Sequence, residues 1–247
     1  MLIHKPSRAK GDEYEVMAQT IGLIGAMDEE IELLLSDMEN IVRTDFAGIT
    51  YTEGDVYGKH VVVCKSGVGK VNAAVTTQIL IEKFSVSHII FTGVAGAVHP
   101  DLEIGDIVIS TACIHHDIDV TPLGYKRGEI PYQETSAFPA DAELIKRAAE
   151  ACEELSARYI SGIVLSGDQF IASKEVVSSL RDEFEGACAE MEGAAVAQVS
   201  FMNKIPYVIL RAMSDKADGS AHVNFAEFTV ESAQKSHRIV EHMLANM

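Results

Sequence analysis

The sequence predicts one α/β domain built on a single β-sheet flanked by helices. Short apolar runs alternate along the chain with amphipathic stretches of helical length, the pattern of a sheet covered by helices. No linker, repeat or low-complexity segment divides the 247 residues, and a chain of that size buries enough apolar surface for one stable core.

Residues 1–18 precede the first apolar-periodic segment and are set apart as a polar tail, either disordered or an artefact of start-site choice with Met17 as the true first residue; the domain is then 19–247. The tail is charged throughout and lacks a signal-peptide core. IGLIGAM (21–27) reads as a buried strand. In the following DEEIELLLSDM, Ile31, Leu34, Leu35 and Met38 recur at helical spacing, with acids favourably placed in the first turn. Residues 49–67 read as two strands joined at Tyr57-Gly58-Lys59, and VNAAVTTQILIEKF as a helix. SHIIFTG (87–93) and DIVISTACI (106–114) are strands. The stretch 115–138 is irregular, with Pro122, Gly124, Gly128 and Pro131, and loops that long in a compact domain are usually functional or lie at an interface. A helix (140–155), the strand YISGIVLSG (159–167), a helix from Lys174 and a short strand into CAEME follow. The chain closes with a helix on GAAVAQVSFM, the strand YVILRAMS and a helix after Phe225.

Lys and Arg total 20 against 37 for Asp and Glu, a net charge of −17. With no local basic cluster, neither nucleic acid nor an anionic membrane is an expected partner. No apolar run approaches the roughly 18 residues needed to span a bilayer. Cys64, Cys113, Cys152 and Cys188 lie far apart without a C-x-x-C pair, which suits reduced buried thiols and a cytoplasmic location.

Four segments carry candidate chemistry. VVVCKSGVGKVNAA places G-x-G between a strand and a helix, but it has neither P-loop spacing nor the third glycine of a dinucleotide fingerprint, where Asn72 stands. No cofactor is therefore expected; a glycine turn that lets backbone approach a ligand remains. Cys113, His115, His116, Asp117 and Asp119 are metal-ligand types, yet alternate residues of an extended run face opposite ways. They read as polar residues bracing the loop or a subunit contact, and no metal is expected. In AEMEGAA (189–195), alternation puts Glu190 and Glu192 on one side if the backbone stays extended. At a strand's carboxyl end they could grip sugar hydroxyls or simply decorate a helix's first turn. YVILRAMSDKAD places Arg211, Ser214 and Asp215 at such an end, where Asp215 is either a helix cap or a catalyst.

Taken together, IGLIGAMDEE, KSGVGKVNAA, TGVAGA, GDIVIS, HHDIDVTPLGY, SGDQFI, AEMEGAA and RAMSDKAD resemble, in order and spacing, the 5′-methylthioadenosine/S-adenosylhomocysteine nucleosidases of the nucleoside phosphorylase superfamily. The resemblance runs from residue 21 to the C-terminus. It implies a three-layer α/β/α domain with a central mixed sheet, nucleoside phosphorylase-like, and hydrolysis of an adenine nucleoside.

Breaking a purine N-riboside leaves an electron-poor sugar carbon and a base that departs poorly as an anion. An acid must protonate the base and a carboxylate must polarise water. By the resemblance, Asp215 protonates adenine N7 with Ser214 orienting it, and Glu30 activates the water with Arg211 nearby. Burial would help to keep Asp215 protonated. Glu192 would hold the ribose hydroxyls and Met191 would lie along the sugar. Phe170 and Ile171 would contact adenine, with Ala95, Gly96 and Ala217 bordering the nucleoside. The 5′ substituent would sit against Met27, Val68 and Phe225. In a homodimer the neighbouring subunit would close that pocket with Val120, Leu123 and Pro131. An apolar wall suits a thioether and leaves a 5′-phosphate unpaired.

Two positions depart from the family pattern. Val94 stands where many members have serine, removing one polar contact to water or ribose, and Leu123 replaces an aromatic ring, which bears on 5′ preference. The alternatives are a purine nucleoside phosphorylase, an aminodeoxyfutalosine hydrolase of menaquinone synthesis and a non-catalytic nucleoside binder. A phosphorylase needs fixed cationic donors for phosphate, but Phe91, Thr92 and the acidic DEE stand where they would be.

Overall fold

The computed structural model describes residues 19–217 and 221–247, with side chains in the last helix described from Phe228 onward. The expectation for residues 1–18 lies outside the described residues, as does the placement of the Phe225 side chain.

Ten strands form one mixed sheet. Its open half is β2 (Glu39–Phe46), β3 (Ile49–Val56) and β4 (Lys59–Lys65), an antiparallel run. β4 pairs in parallel with β1 (Thr20–Gly25), which pairs in parallel with β5 (His88–Ala97). From β5 the sheet closes on itself. β5 is parallel to β10 (Tyr207–Asp215), β10 antiparallel to β6 (Ile107–His115), and β6 parallel to β8 (Tyr159–Ser166). β8 is parallel to β9 (Gly186–Glu190), which returns antiparallel to β5 at Gly96 and Ala97. A short β7 (Ala137–Pro139) lies against β6. The mixed sheet flanked by helices is as expected; its closure across β5–β10 brings the ends of β5, β9 and β10 together.

The helices are α1 (Asp28–Ser36), α2 (Lys70–Phe84), α3 (Ala142–Glu154), α4 (Lys174–Phe184), α5 (Gly193–Asn203) and α6 (Ala221–Ala245). α5 is apolar almost all round, as befits a helix buried in the core, and Ala194, Ala195, Val196 and Ala197 are all buried. α2 packs on it through the small face of Ala73, Thr76 and Thr77. The two buried threonine hydroxyls donate back to Asn72 O at 2.8 Å and Ala73 O at 2.7 Å, so no donor is stranded.

Three elements differ from expectation. β2 is an additional strand: five of the residues in ENIVRTDF from Glu39 are exposed in succession, so this charged edge strand carries no core-facing alternation. β5 runs on through VAGA to Ala97, because its glycines accommodate neighbouring side chains without making turns. The final helix starts at Ala221, which puts Phe225 inside it and not ahead of it. Among the described residues no helix is long and apolar enough to cross a membrane.

Candidate active site

The carboxyl ends of β1, β5, β9 and β10, with the loops after β4 and β8, enclose a cavity of about 320 Å³. Strand ends of an α/β sheet are where backbone direction changes and ligands find unpaired groups. Of the sequence candidates, Glu30, Asp215, Ser214, Glu192, Met191, Phe170, Ile171, Ala95, Gly96, Val68 and Met27 all line it. No Lys or Arg does so among the described residues.

Glu30 is the third residue of α1 and reaches back over the helix start. Its Oε2 accepts N–H donors from Ala26 at 2.6 Å and Met27 at 3.0 Å, and its Oε1 accepts Val94 N–H at 3.0 Å. At the N-terminal end of a helix these amides suit a carboxylate. Burial nevertheless raises its pKa above the usual range, against the lowering by Arg211 and the three amides. Gly93 makes this placement feasible, since a Cβ there would stand 2.5 Å from Glu30 Oε1.

Asp215 ends β10 just past a register irregularity between Met213 and Asp215. Its Oδ1 accepts Ala217 N–H at 2.6 Å, and Ser214 Oγ donates to its Oδ2 at 3.0 Å. Asp215 is only 2% exposed. Gly96 is its steric counterpart, with a Cβ there falling 2.8 Å from Asp215 Oδ1. Ala217 therefore does not line the cavity; it supports Asp215 from behind through its amide.

Glu190 and Glu192 do not continue one extended face. The chain leaves β9 at Glu190, and Glu192, at φ −137° and ψ −39°, is the cap residue of α5. Glu190 folds onto the helix start, accepting Gly193 N–H on Oε1 at 2.9 Å and on Oε2 at 2.8 Å, plus the Ser166 hydroxyl. Glu192 turns across the cavity to accept Gly69 N–H at 2.8 Å. Gly69 has φ +100°, a left-handed conformation that favours glycine. Glu190 thus caps the start of α5, and Glu192 lines the cavity.

Arg211 sits behind the cavity wall. Its guanidinium pairs with Glu190 Oε2 at 2.5 Å and lies 3.9 Å from the centroid of the Phe91 ring. Burial works against its charge, but Glu190, Glu30 and Glu192 outweigh it and raise its pKa. One guanidinium thus faces three carboxylates. Glu192 shows the consequence: burial first, then repulsion by Glu190, pushes its pKa up to about 8, against lowering by Arg211 and the Gly69 amide.

Ala26, Gln169 and Ala189 line the cavity without having been singled out for it, and Glu190 lines it beside Glu192. Glu190 stands three residues before the first residue of α5, where a carboxylate caps free amides. Val120, Leu123 and Pro131 do not line the cavity within one chain; Leu123 is 75% exposed. His115 bonds to Gln198 at 3.0 Å and Asp117 to Lys70. No group of three or more His, Cys, Asp or Glu is arranged to hold a metal among the described residues.

Scaffold and cavity together define the phosphorylase superfamily class, and the family model of that description matches residues 20–245. The sequence is 42% identical over 226 residues to the 5′-methylthioadenosine/S-adenosylhomocysteine nucleosidase of Bacillus licheniformis, covering 91% of this chain and 97% of the relative. The fold is similar to that of the Neisseria meningitidis 5′-methylthioadenosine/S-adenosylhomocysteine nucleosidase solved with methylthio-immucillin-A, with TM-score 0.89, 40% identity and coverage of 93% of this chain and 100% of that one. It is equally close to Helicobacter pylori futalosine hydrolase, with TM-score 0.90, 34% identity and coverage of 94% and 99%. The chain belongs to the 5′-methylthioadenosine/S-adenosylhomocysteine nucleosidase family.

Proposed function

We propose that this protein hydrolyses the N-glycosidic bond of 5′-methylthioadenosine and S-adenosylhomocysteine, and of 5′-deoxyadenosine-like nucleosides, to adenine and the 5′-substituted ribose. Such an activity serves methionine salvage and the removal of methylation by-products. The observation that carries the reading is that Glu30 and Asp215, anchored on opposite sides of β5 through Val94 N–H and next to Gly96, line one cavity.

Adenine lies against Phe170 and Ile171, and Asp215 gives its proton to N7 as the bond between N9 and the sugar C1′ breaks. The bonding electrons leave with the base, which is neutral because the proton has arrived. Ser214 and the Ala217 amide fix the direction of the Asp215 carboxyl group. Glu30 takes a proton from water as the water oxygen bonds to C1′. Glu192 accepts the ribose hydroxyls, with Met191 along the sugar. Arg211 acts through Glu190 and the field it places on Glu30.

Hydrolysis is favoured over phosphorolysis by charge. Among the described residues the cavity offers no Lys or Arg, whereas a bound phosphate dianion needs fixed cationic donors. Met27 and Val68 give the 5′ side an apolar wall suited to a thioether. The similarity to the futalosine hydrolase supports aminodeoxyfutalosine as a second substrate reading. Val120, Leu123 and Pro131 reach a 5′ pocket in a homodimer, and the four buried thiols suit a cytoplasmic enzyme. Catalytic efficiency measured on methylthioadenosine, S-adenosylhomocysteine, 5′-deoxyadenosine and aminodeoxyfutalosine tests the assignment. The two thioethers should lead; a preference of tenfold or more for aminodeoxyfutalosine would transfer it to the second reading.

A further inference from the structure

We infer that Asp117 is a positioning residue which, through Lys70 and Asp168, holds the ribose grip and the adenine loop at a fixed separation. The inference rests on the adenine-nucleoside reading of the cavity.

Three loops meet at a closed ring of polar contacts outside the cavity. Lys70, the first residue of α2, donates from Nζ to Asp117 Oδ1 at 2.5 Å and from its backbone N–H to Asp168 Oδ1 at 2.9 Å. Asp168 N–H donates to Asp117 Oδ2 at 3.0 Å. Asp117 follows β6 and Asp168 follows β8. The Lys70 and Asp117 side chains are 19% and 16% exposed, so solvent screens the pair little. Burial raises the Asp117 pKa, but the Lys70 contact and the Asp168 amide outweigh it and hold the carboxyl below its usual range.

Each arm of the ring ends one or two residues from a binding group. Gly69, next to Lys70, donates its N–H to Glu192 at 2.8 Å. Phe170 lies two residues beyond Asp168 and lines the cavity with Ile171. The fit is close, since a Cβ on Gly69 would stand 3.3 Å from Asp168 Oδ1. A ligand that spans both arms needs their separation fixed in advance; a ligand touching only the adenine arm does not. Misplacement by even an ångström weakens a geometry-dependent site.

Asparagine cannot replace Asp117, because both carboxylate oxygens accept and an amide offers one acceptor and one donor. We therefore expect Asp117→Asn to raise KM for methylthioadenosine about tenfold, with kcat within about threefold of wild type. The dissociation constant for adenine alone should change less than about threefold, because adenine does not span both arms. Lys70→Met, which keeps the contact between Asp117 and Asp168, should show the same pattern and carries the test if Asp117→Asn folds poorly. An unchanged KM in either folded variant overturns the inference, as does equal weakening of adenine and nucleoside. Wild-type turnover separates the two levels: no adenine release by wild type removes the reading of the cavity, whereas turnover with unaltered variant KM removes only the role of Asp117.

Discussion

Arg211 and Glu190 are joined by an ion pair from Nη2 to Oε2 at 2.5 Å, with side chains only 2% and 3% exposed. Glu190 is simultaneously the carboxylate that receives the Gly193 amide at the start of α5. The pair therefore ties β10, which carries Asp215, to the helix that Glu192 precedes as its cap residue. Removing one partner of a buried pair leaves the other uncompensated, which costs about 3–5 kcal/mol. Arg211→Met should lose that much in urea unfolding, and Arg211→Lys, lacking the planar fork, should recover only part of it.

Substrate binding should release a proton at neutral pH. The Glu192 pKa is pushed up to about 8 by burial and Glu190, so the empty site binds a proton that ribose hydroxyls, as donors, displace. Calorimetry at pH 7 in buffers of different ionisation enthalpy should show proton release for nucleosides, and Glu192→Gln should abolish it.

The same shift fixes a sign for stability. The folded pKa of Glu192 lies above its ordinary 4.5, so the folded state binds the extra proton between those values. Its contribution is fully present below about 4.5 and lost as pH rises through about 8. Wild-type stability relative to Glu192→Gln should therefore fall across that window in paired denaturation curves. A difference that rises with pH would show the shift to be downward.

Gly93→Ala places a Cβ 2.5 Å from Glu30 Oε1. Displacing the carboxylate from the amides of Ala26, Met27 and Val94 should lower kcat by roughly 10²-fold, read from adenine release. Gly48→Ala, where nothing lies within 4 Å of the added Cβ but φ is +77°, should cost stability through its left-handed backbone while leaving kcat unchanged, which separates displacement of Glu30 from general destabilisation.

Asp215→Asn should lower turnover by roughly 10²-fold or more while circular dichroism remains that of the folded protein. Near-normal turnover would show that another group protonates the base.

Much of this site is legible in the sequence because strand ends carry it: an apolar run followed by a polar residue marks Asp215 and Glu192 as candidates, while their roles come from the family resemblance. The sequence reading ends the strand at Gly93, and only the structure shows Gly93 and Gly96 as spaces for two carboxylates inside a continuing strand. The opposite orientations of Glu190 and Glu192 depend on where β9 gives way to α5, a boundary that alternation does not encode. β2 escaped notice because an exposed edge strand has no buried face to impose a period. The ring of Lys70, Asp117 and Asp168 joins residues up to 98 positions apart, a distance over which no local pattern operates.

The central claim is that water, directed by Glu30 and Asp215, receives the sugar. It is tested most directly by following adenine release from methylthioadenosine by the purified protein in phosphate-free buffer and then across added phosphate. The account predicts full turnover without phosphate, a reducing 5-methylthioribose as co-product and no acceleration by phosphate. Adenine release that requires phosphate and yields a sugar 1-phosphate would contradict it.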